Sequence, residues 1–259
     1  MHYTQKNCFV CPACKGPLTV KIVNEKEGHI INGELICNCG NCYQVKNSLP
    51  DFTYPAELSI TDRESKSWYD ANADVYDEYL PLTFRTFNED EAAVRSAMVA
   101  KLNLQPSSKV LEVGAGTGRD SVFIAKYLSE HAELHLQDLC HSILEKSFPK
   151  LENIDVPVIY HLGNACWLPY PDNYFDAAFH FGGLNTFSDI KKFLEEMNRV
   201  TKKGGKVVIG DESMPEWLRD TEFGKILMNS NPHYKYMLPF RHLPVSCRKV
   251  NLEWIIGGV

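Results

Sequence analysis

Lys109-Val-Leu-Glu-Val113 runs directly into Gly114-Ala-Gly-Thr-Gly118, and from Arg119 to Glu130 the spacing is helical, with Val122, Ala125 and Leu128 on one side. A short apolar run that ends in closely spaced glycines before a helix is a strand-to-helix turn whose backbone can approach a ligand. Two phosphate-binding turns are excluded. A dinucleotide fingerprint needs a third glycine where Arg119 stands, and a P-loop needs Gly-Lys-Ser/Thr. What remains is an acid, Glu112, two residues before the first glycine. A carboxylate there suits a ligand with a positive end and would repel a pyrophosphate.

Strands and helices alternate outward from this turn. Ala132–Gln137 reads as a second strand and ends at Asp138, where an acid can accept both hydroxyls of a ribose. Pro157–His161 is a third strand, followed by Gly163-Asn-Ala165, and Phe175–Phe181 is a fourth, after the turn Pro171-Asp-Asn173. A helix from Ser188 buries Ile190, Phe193, Leu194, Met197 and Val200. Gly204-Gly205 is expected to cap it, and Lys206–Ile209 to form a fifth strand. This order predicts a Rossmann-like α/β sheet, parallel, with right-handed crossovers. Upstream, Tyr69, Ala73, Tyr76 and Leu80 share a helical face that Pro81 is expected to stop. A second helix is expected from Asn88, with Glu91 as capping-box partner and Val94, Ala97, Met98 and Leu102 inward.

The 259 residues carry 44% apolar and 23% charged side chains, which excludes disordered and fibrous classes. A net charge of −6 disfavours a broad nucleic-acid footprint. No apolar run approaches a membrane span, and Met1–Lys6 is polar, so a cytoplasmic location is expected.

Six of the nine cysteines lie in the first 42 residues. Cys11-Pro-Ala-Cys14 and Cys39-Gly-Asn-Cys42 are two C-x-x-C turns with 24 residues between them, which suits a tetrahedral zinc ion. Leu18–Val23 and Gly33–Ile36 read as strands between the turns. The favoured ligands are Cys11, Cys14, Cys39 and Cys42. Cys8 is a rival in the first group and Cys37 in the second. A zinc-ribbon domain is expected over 1–55, with Asp51–Arg63 as a linker separating its core from that of a second domain over 56–259.

Cys11-Pro-Ala-Cys14-Lys-Gly-Pro-Leu and Tyr43-Gln-Val-Lys-Asn-Ser-Leu-Pro50 resemble the small zinc-ribbon domain that partners, or is fused to, tRNA and rRNA methyltransferases. Gln44, Asn47 and Ser48 depart from that family's tail. Three stretches resemble class I S-adenosylmethionine-dependent methyltransferases, in the ubiquinone/menaquinone-type branch. They are Val110–Gly118, Gly163–Ala177 and Glu196–Val207. The resemblance covers about Trp68 to Asp211 and implies S-adenosyl-L-methionine as cofactor. It implies cofactor contacts at Tyr76, Glu112, Gly114, Ala115, Gly116, Gly118, Asp138, Leu139, Asn164, Ala165 and His180. Asn164 stands where the family usually has Asp facing the adenine amino group, and its carbonyl oxygen is expected to accept there. Tyr69 matches a family aromatic over the cofactor.

The expected chemistry is in-line displacement at a sulfonium methyl, for which the protein mainly aligns the reactants. His180 and Asn185 are the candidate catalytic residues, and Asp211 and Glu212 are candidates to touch the acceptor. The leading expectation is a small-molecule methyl acceptor, with a homodimer among the partner expectations. An rRNA or tRNA base methyltransferase would require a basic face between ribbon and cleft, and Lys6, Lys15, Lys21, Lys26 and Lys46 are offset by Glu25, Glu27 and Glu34. A non-catalytic cofactor-binding module is a third alternative. Gly118-Arg-Asp120 also resembles arsenite methyltransferases, with Cys140, Cys166 and Cys247 as a thiolate trio, although Ser121 departs from that pattern. Beyond Gly210, Pro215–Asn229 reads as helix, Lys249–Ile256 as a strand and Gly257-Gly258 as a turn. That is too little to finish the family's seven-stranded sheet. A C-terminally incomplete domain, or an edge covered by a partner chain, is therefore expected.

Overall fold

The computed structural model describes residues 1–256. After a 3₁₀ turn at Tyr3–Cys8, strands β1 (Leu18–Lys26), β2 (His29–Cys37), β3 (Cys42–Lys46) and β4 (Leu49–Asp51) form an antiparallel meander. Helices α1 (Ile60–Asn72), α2 (Tyr76–Thr86) and α3 (Glu91–Ala100) lead into β5 (Lys109–Val113). Then come α4 (Ser121–Ala125), β6 (Glu133–Asp138), α5 (His141–Leu144), α6 (Phe148–Leu151), β7 (Val158–Leu162), β8 (Phe175–Phe181), α7 (Ile190–Val200) and β9 (Thr201–Gly210). Helices α8 (Glu216–Arg219) and α9 (Glu222–Ser230) follow.

One nine-stranded sheet runs β1-β2-β3-β4-β7-β6-β5-β8-β9. The five strands of the α/β part are parallel. Val110, Leu111 and Val113 of β5 and Leu134 and Leu136 of β6 are fully buried, as central parallel strands with both faces covered require. The meander joins at the β7 edge, where Asp51 of β4 pairs in parallel with Leu162 and the Phe52 N–H donates to the Leu162 carbonyl at 2.8 Å.

The expectation of two cores separated by a linker does not hold. Phe9 lies 4.8 Å from Phe52 and 5.4 Å from Tyr170, ring centre to ring centre, so ribbon side chains complete the α/β core. The Val10 N–H donates to the Pro169 carbonyl at 2.9 Å, and Lys15 bonds Glu196 on α7.

Several local expectations are corrected. Tyr69 lies in α1, Ala73 just beyond its end, Tyr76 and Leu80 in α2, and Pro81 lies inside α2. Proline removes one rung but its fixed φ is helical, so the helix continues to Thr86. The cap of α3 is Asp90, whose carboxylate accepts from Ala93 N–H at 3.0 Å, while Asn88 takes a left-handed turn. The helix after the glycine loop is confined to Ser121–Ala125. Gly204-Gly205 do not cap α7. They sit in an irregularity of β9, whose pairing jumps from Phe175↔Thr201 to Ala177↔Lys206. Pro215–Asn229 is split between α8 and α9. Lys249–Ile256 forms no strand, and Gly257-Gly258 lies outside the described residues. Among the described residues β9 has β8 as its one sheet neighbour.

Candidate functional site

The carboxyl ends of β7, β6, β5, β8 and β9 open on one cleft, with α1 and α2 over it. Sheet order fixes the order of residues along its floor. Asn164 and Ala165 come first, then Asp138 and Leu139, Gly114–Gly116, His180, and Asp211 with Glu212. At roughly 4.8 Å per strand, these five loops span about 19 Å.

The chain turns from β5 through Gly114 (φ +64°) and Gly116 (φ +52°), a region only glycine enters cheaply. A Cβ on Gly116 would meet only the Gly114 carbonyl, 4.0 Å away. The Gly116 N–H donates to Asp138 Oδ2 at 2.8 Å and the Cys140 N–H to Oδ1 at 2.9 Å. Burial pushes the Asp138 carboxyl up to about 6. These partners are neutral backbone amides, so the carboxylate keeps lone pairs for further donors. Gln137 spans the neighbouring loops. Its Oε1 accepts from Gly114 N–H at 3.2 Å, and its Nε2 donates to the Gly163 carbonyl.

Ten of the expected residues line the cleft, namely Tyr76, Gly114, Ala115, Gly116, Asp138, Leu139, Asn164, Ala165, His180 and Asn185. Glu112 and Gly118 sit behind it. Glu112 is buried and accepts from Ser121 Oγ at 2.5 Å, and burial raises its carboxyl well above the ordinary range. It therefore points away from the cleft, toward Ser121. Gly118 is required by packing, because a Cβ there would lie 2.7 Å from Ser147 Cβ.

His180 is fully buried, and its Nδ1–H donates to the Val113 carbonyl at 2.8 Å. Burial lowers its pKa to about 4, and Nε2 has no partner. A weakly basic ring wedged beneath Gly114 and against Phe187 is poorly suited to proton abstraction. Asn185 ties two strand ends together. Its N–H donates to Asp211 Oδ2 and its Nδ2 to the Glu212 carbonyl, both at 2.8 Å. Burial raises Asp211 to about 6. Above them Tyr69 and Tyr76 pack edge to face at 5.7 Å, with Trp68 5.1 Å from Tyr69.

A set of charged residues escaped the sequence reading. Arg95 is 5% exposed, between Phe84 and Phe181 at 5.4 and 5.1 Å, and bonds Asp120 at 2.5 Å and Glu91 at 2.7 Å. Arg119 grips both oxygens of Glu91 at 2.7 and 2.6 Å, and Thr117 donates to Asp77 at 2.6 Å. These bonds fasten α2 and α3 to the glycine loop. The i,i+4 spacing of Glu91 and Arg95 was the available signal. The proposed thiolate trio does not form. Cys140 donates to the Lys66 carbonyl and Cys166 to that of Asp189, and among the described residues the trio makes no metal-sized group.

In the ribbon, the sulfurs of Cys11, Cys14, Cys37 and Cys39 lie within 4.8 Å of one another. The Cys11–Cys39 and Cys14–Cys37 separations are 3.7 and 3.4 Å. Bonds of 2.3 Å to a tetrahedral zinc put sulfurs about 3.8 Å apart, so the donor set fits that ion. Cys37 thus stands in the place expected of Cys42. The reason is strand alternation. Cys42 opens β3 on the exposed face with Gln44, whose Nε2 donates to its sulfur, while Tyr43 turns inward to Cys11 at 3.2 Å. Gly16 keeps the cluster open, since a Cβ there would lie 3.2 Å from Cys14 Sγ.

Residues 111–209 match the family described as a methyltransferase domain, and residues 7–48 match the Trm112p-like protein family. The chain therefore carries a Trm112p-like segment ahead of a segment that matches a methyltransferase domain. It is 30% identical over 148 residues to the demethylmenaquinone methyltransferase of Bacillus mycoides, covering 57% of this chain and 60% of that one. It is 36% identical over 111 residues to the ubiquinone/menaquinone biosynthesis C-methyltransferase UbiE of Cupriavidus metallidurans, covering 43% and 46%. The chain thus spans about half the length of the curated relatives it matches. Among solved structures, phosphoethanolamine N-methyltransferase 2 of Haemonchus contortus superposes with a TM-score of 0.52 at 18% identity, over 71% of this chain and 43% of that one, which speaks for the fold alone. Among the described residues no helix is long and apolar enough to cross a membrane.

Proposed function

We propose that the chain binds S-adenosylmethionine along the carboxyl edge of the sheet and transfers its methyl group to a small-molecule acceptor. The carrying observation is the order of the loops. An amide at the β7 end (Asn164), a half-buried carboxylate with free lone pairs (Asp138), an open glycine turn (Gly114–Gly116) and an acidic wall (Asp211, Glu212) succeed one another along one cleft.

The cofactor supplies an electrophilic methyl on a sulfonium. The chain's part is to bind, orient and exclude water. Asp138 accepts the ribose hydroxyls, the glycine turn lets the backbone approach the amino-acid end, and Tyr69 and Tyr76 cover the cleft. Asp211, held by Asn185 and by the Glu212 N–H at 2.9 Å, faces the acceptor end and can take a proton from it. Cys11, Cys14, Cys37 and Cys39 hold one zinc ion that shapes the ribbon. Lys15 and Lys21 are engaged by Glu196 and Glu34, which takes two of the ribbon's five lysines out of the basic face an RNA acceptor would need.

Calorimetry with S-adenosylhomocysteine, followed by transfer from labelled S-adenosylmethionine to a panel of phenolic, quinol and amine acceptors, tests the proposal. Saturable binding and labelled product support it. Binding without transfer to any acceptor would leave a cofactor-binding module, and no binding would overturn the assignment.

A further inference from the structure

Asp62 lies in the first turn of α1, is 6% exposed, and lines the cleft beside Asn164 and Ala165. It takes three donors. Ser188 N–H reaches Oδ1 at 3.1 Å, Ser188 Oγ reaches Oδ2 at 2.6 Å, and Asn164 Nδ2 reaches Oδ2 at 3.3 Å. Ser59 Oγ, accepting from the Asp62 N–H at 3.0 Å, caps the helix and fixes where it starts.

The bonds of Asn164 decide which way its amide faces. Its Oδ1 must be the atom beside the Cys166 N–H, 2.9 Å away, because only an oxygen can accept that hydrogen. The NH₂ group then faces α1 and donates to Asp62. Both contacts agree, so the orientation is set by the network. The amide oxygen already accepts once in its own turn and keeps a single lone pair, and the side toward α1 shows a donor. The acceptor-only group at this end of the cleft is therefore the carboxylate of Asp62, with a lone pair left after its three donors.

On the reading of the cleft proposed above, this is the nucleobase end. We propose that Asp62 is the specificity-determining residue for the base: its carboxylate accepts the exocyclic amine of adenine, and Asn164 acts as a positioning residue that holds it. A 6-oxo purine would set a carbonyl oxygen against that carboxylate and be rejected. The acid that reads the base is thus supplied by α1, across 102 residues of chain from Asn164.

The test compares S-adenosylhomocysteine with its deaminated 6-oxo analogue, S-inosylhomocysteine, by calorimetry on the full chain. Wild type should prefer the adenine compound at least about tenfold, the worth of one charge-assisted hydrogen bond. Asp62→Asn should bring the two affinities within about threefold, because an amide can donate to the 6-oxo group. The double variant Asp62→Asn with Asn164→Asp returns a carboxylate to the site and should restore the preference. Ser188→Ala should lower the melting temperature and keep the preference, which separates structural loss from loss of base reading. If Asp62→Asn fails to fold, the double variant decides. An Asp62→Asn protein that keeps the full preference overturns the inference, as does a folded double variant indifferent to the base. A wild-type chain that binds neither compound removes the cofactor reading itself.

Discussion

Lys15 Nζ lies 2.9 Å from Glu196 Oε2 and also donates to the Leu168 carbonyl at 3.1 Å, so one ribbon side chain closes a contact across 181 residues of chain. Glu196 has a 2% exposed side chain and also accepts from Leu168 N–H at 2.9 Å and from Arg199. It holds the loop after β7 and the ribbon at once.

Glu196→Ala should cost about 2–4 kcal/mol, because it strands a lysine and leaves Leu168 N–H unpaired. Lys15→Met should cost about 1 kcal/mol or less, since Arg199 remains to balance the acid. Urea unfolding checks both. Equal costs for the two would show that Glu196 serves the ribbon alone.

Metal content separates two cysteines. Cys37→Ser should lose the bound zinc and destabilise the whole chain, because the ribbon shares its core with the sheet. Cys42→Ser should keep one equivalent, since that thiol lies outside the four-sulfur group. Atomic absorption on both purified variants decides, and the reverse pattern would restore Cys42 as the ligand.

Asp138 makes cofactor affinity depend on pH. Its folded carboxyl titrates near 6, above the ordinary 3.8, so the fold binds this proton more tightly than the unfolded chain does. By itself the group favours the fold below pH 4, and that advantage is lost as pH climbs past 6. Ligand binding runs the other way, because two hydroxyl donors need the ionised form. Affinity for S-adenosylhomocysteine should rise several-fold between pH 5 and pH 7, and Asp138→Asn should flatten the profile. Asp138→Ala should cost about 1.5–3 kcal/mol of binding. A profile unchanged in the asparagine variant would assign the titration to Asp211.

Two glycines of one loop should fail differently. Gly118→Ala drives a methyl into Ser147 and should cost about 2–4 kcal/mol of stability, from overpacking and from φ +75°. Gly116→Ala meets only the Gly114 carbonyl at 4.0 Å, so its stability cost should stop at the roughly 1 kcal/mol of a left-handed residue, while cofactor affinity falls at least tenfold. Thermal melts and calorimetry on the pair read the two effects apart.

The parallel strands were legible because buried β-runs bounded by glycines have few other readings, and Phe175–Phe181 matches β8 residue for residue. Helix ends were not. Pro81 and Gly204-Gly205 are stop signals locally, yet packing carried α2 through one and a strand irregularity absorbed the other. The choice of Cys37 over Cys42 depends on which face of β3 a residue occupies, and spacing alone is blind to that. Asp62 was illegible for a different reason. It stands 102 positions before Asn164 on a helix with no glycine or cysteine to mark it, and only the folded chain brings them together.

Gln137 bonds the amide of Gly114 with one end and the carbonyl of Gly163 with the other. The side chain is 1% exposed, so neither bond can be traded for water without opening the sheet end. The turn after β5 and the turn after β7 are therefore stapled at a fixed span across β6. In hydrogen exchange they should behave as one opening unit, with a shared protection factor that Gln137→Ala splits into two.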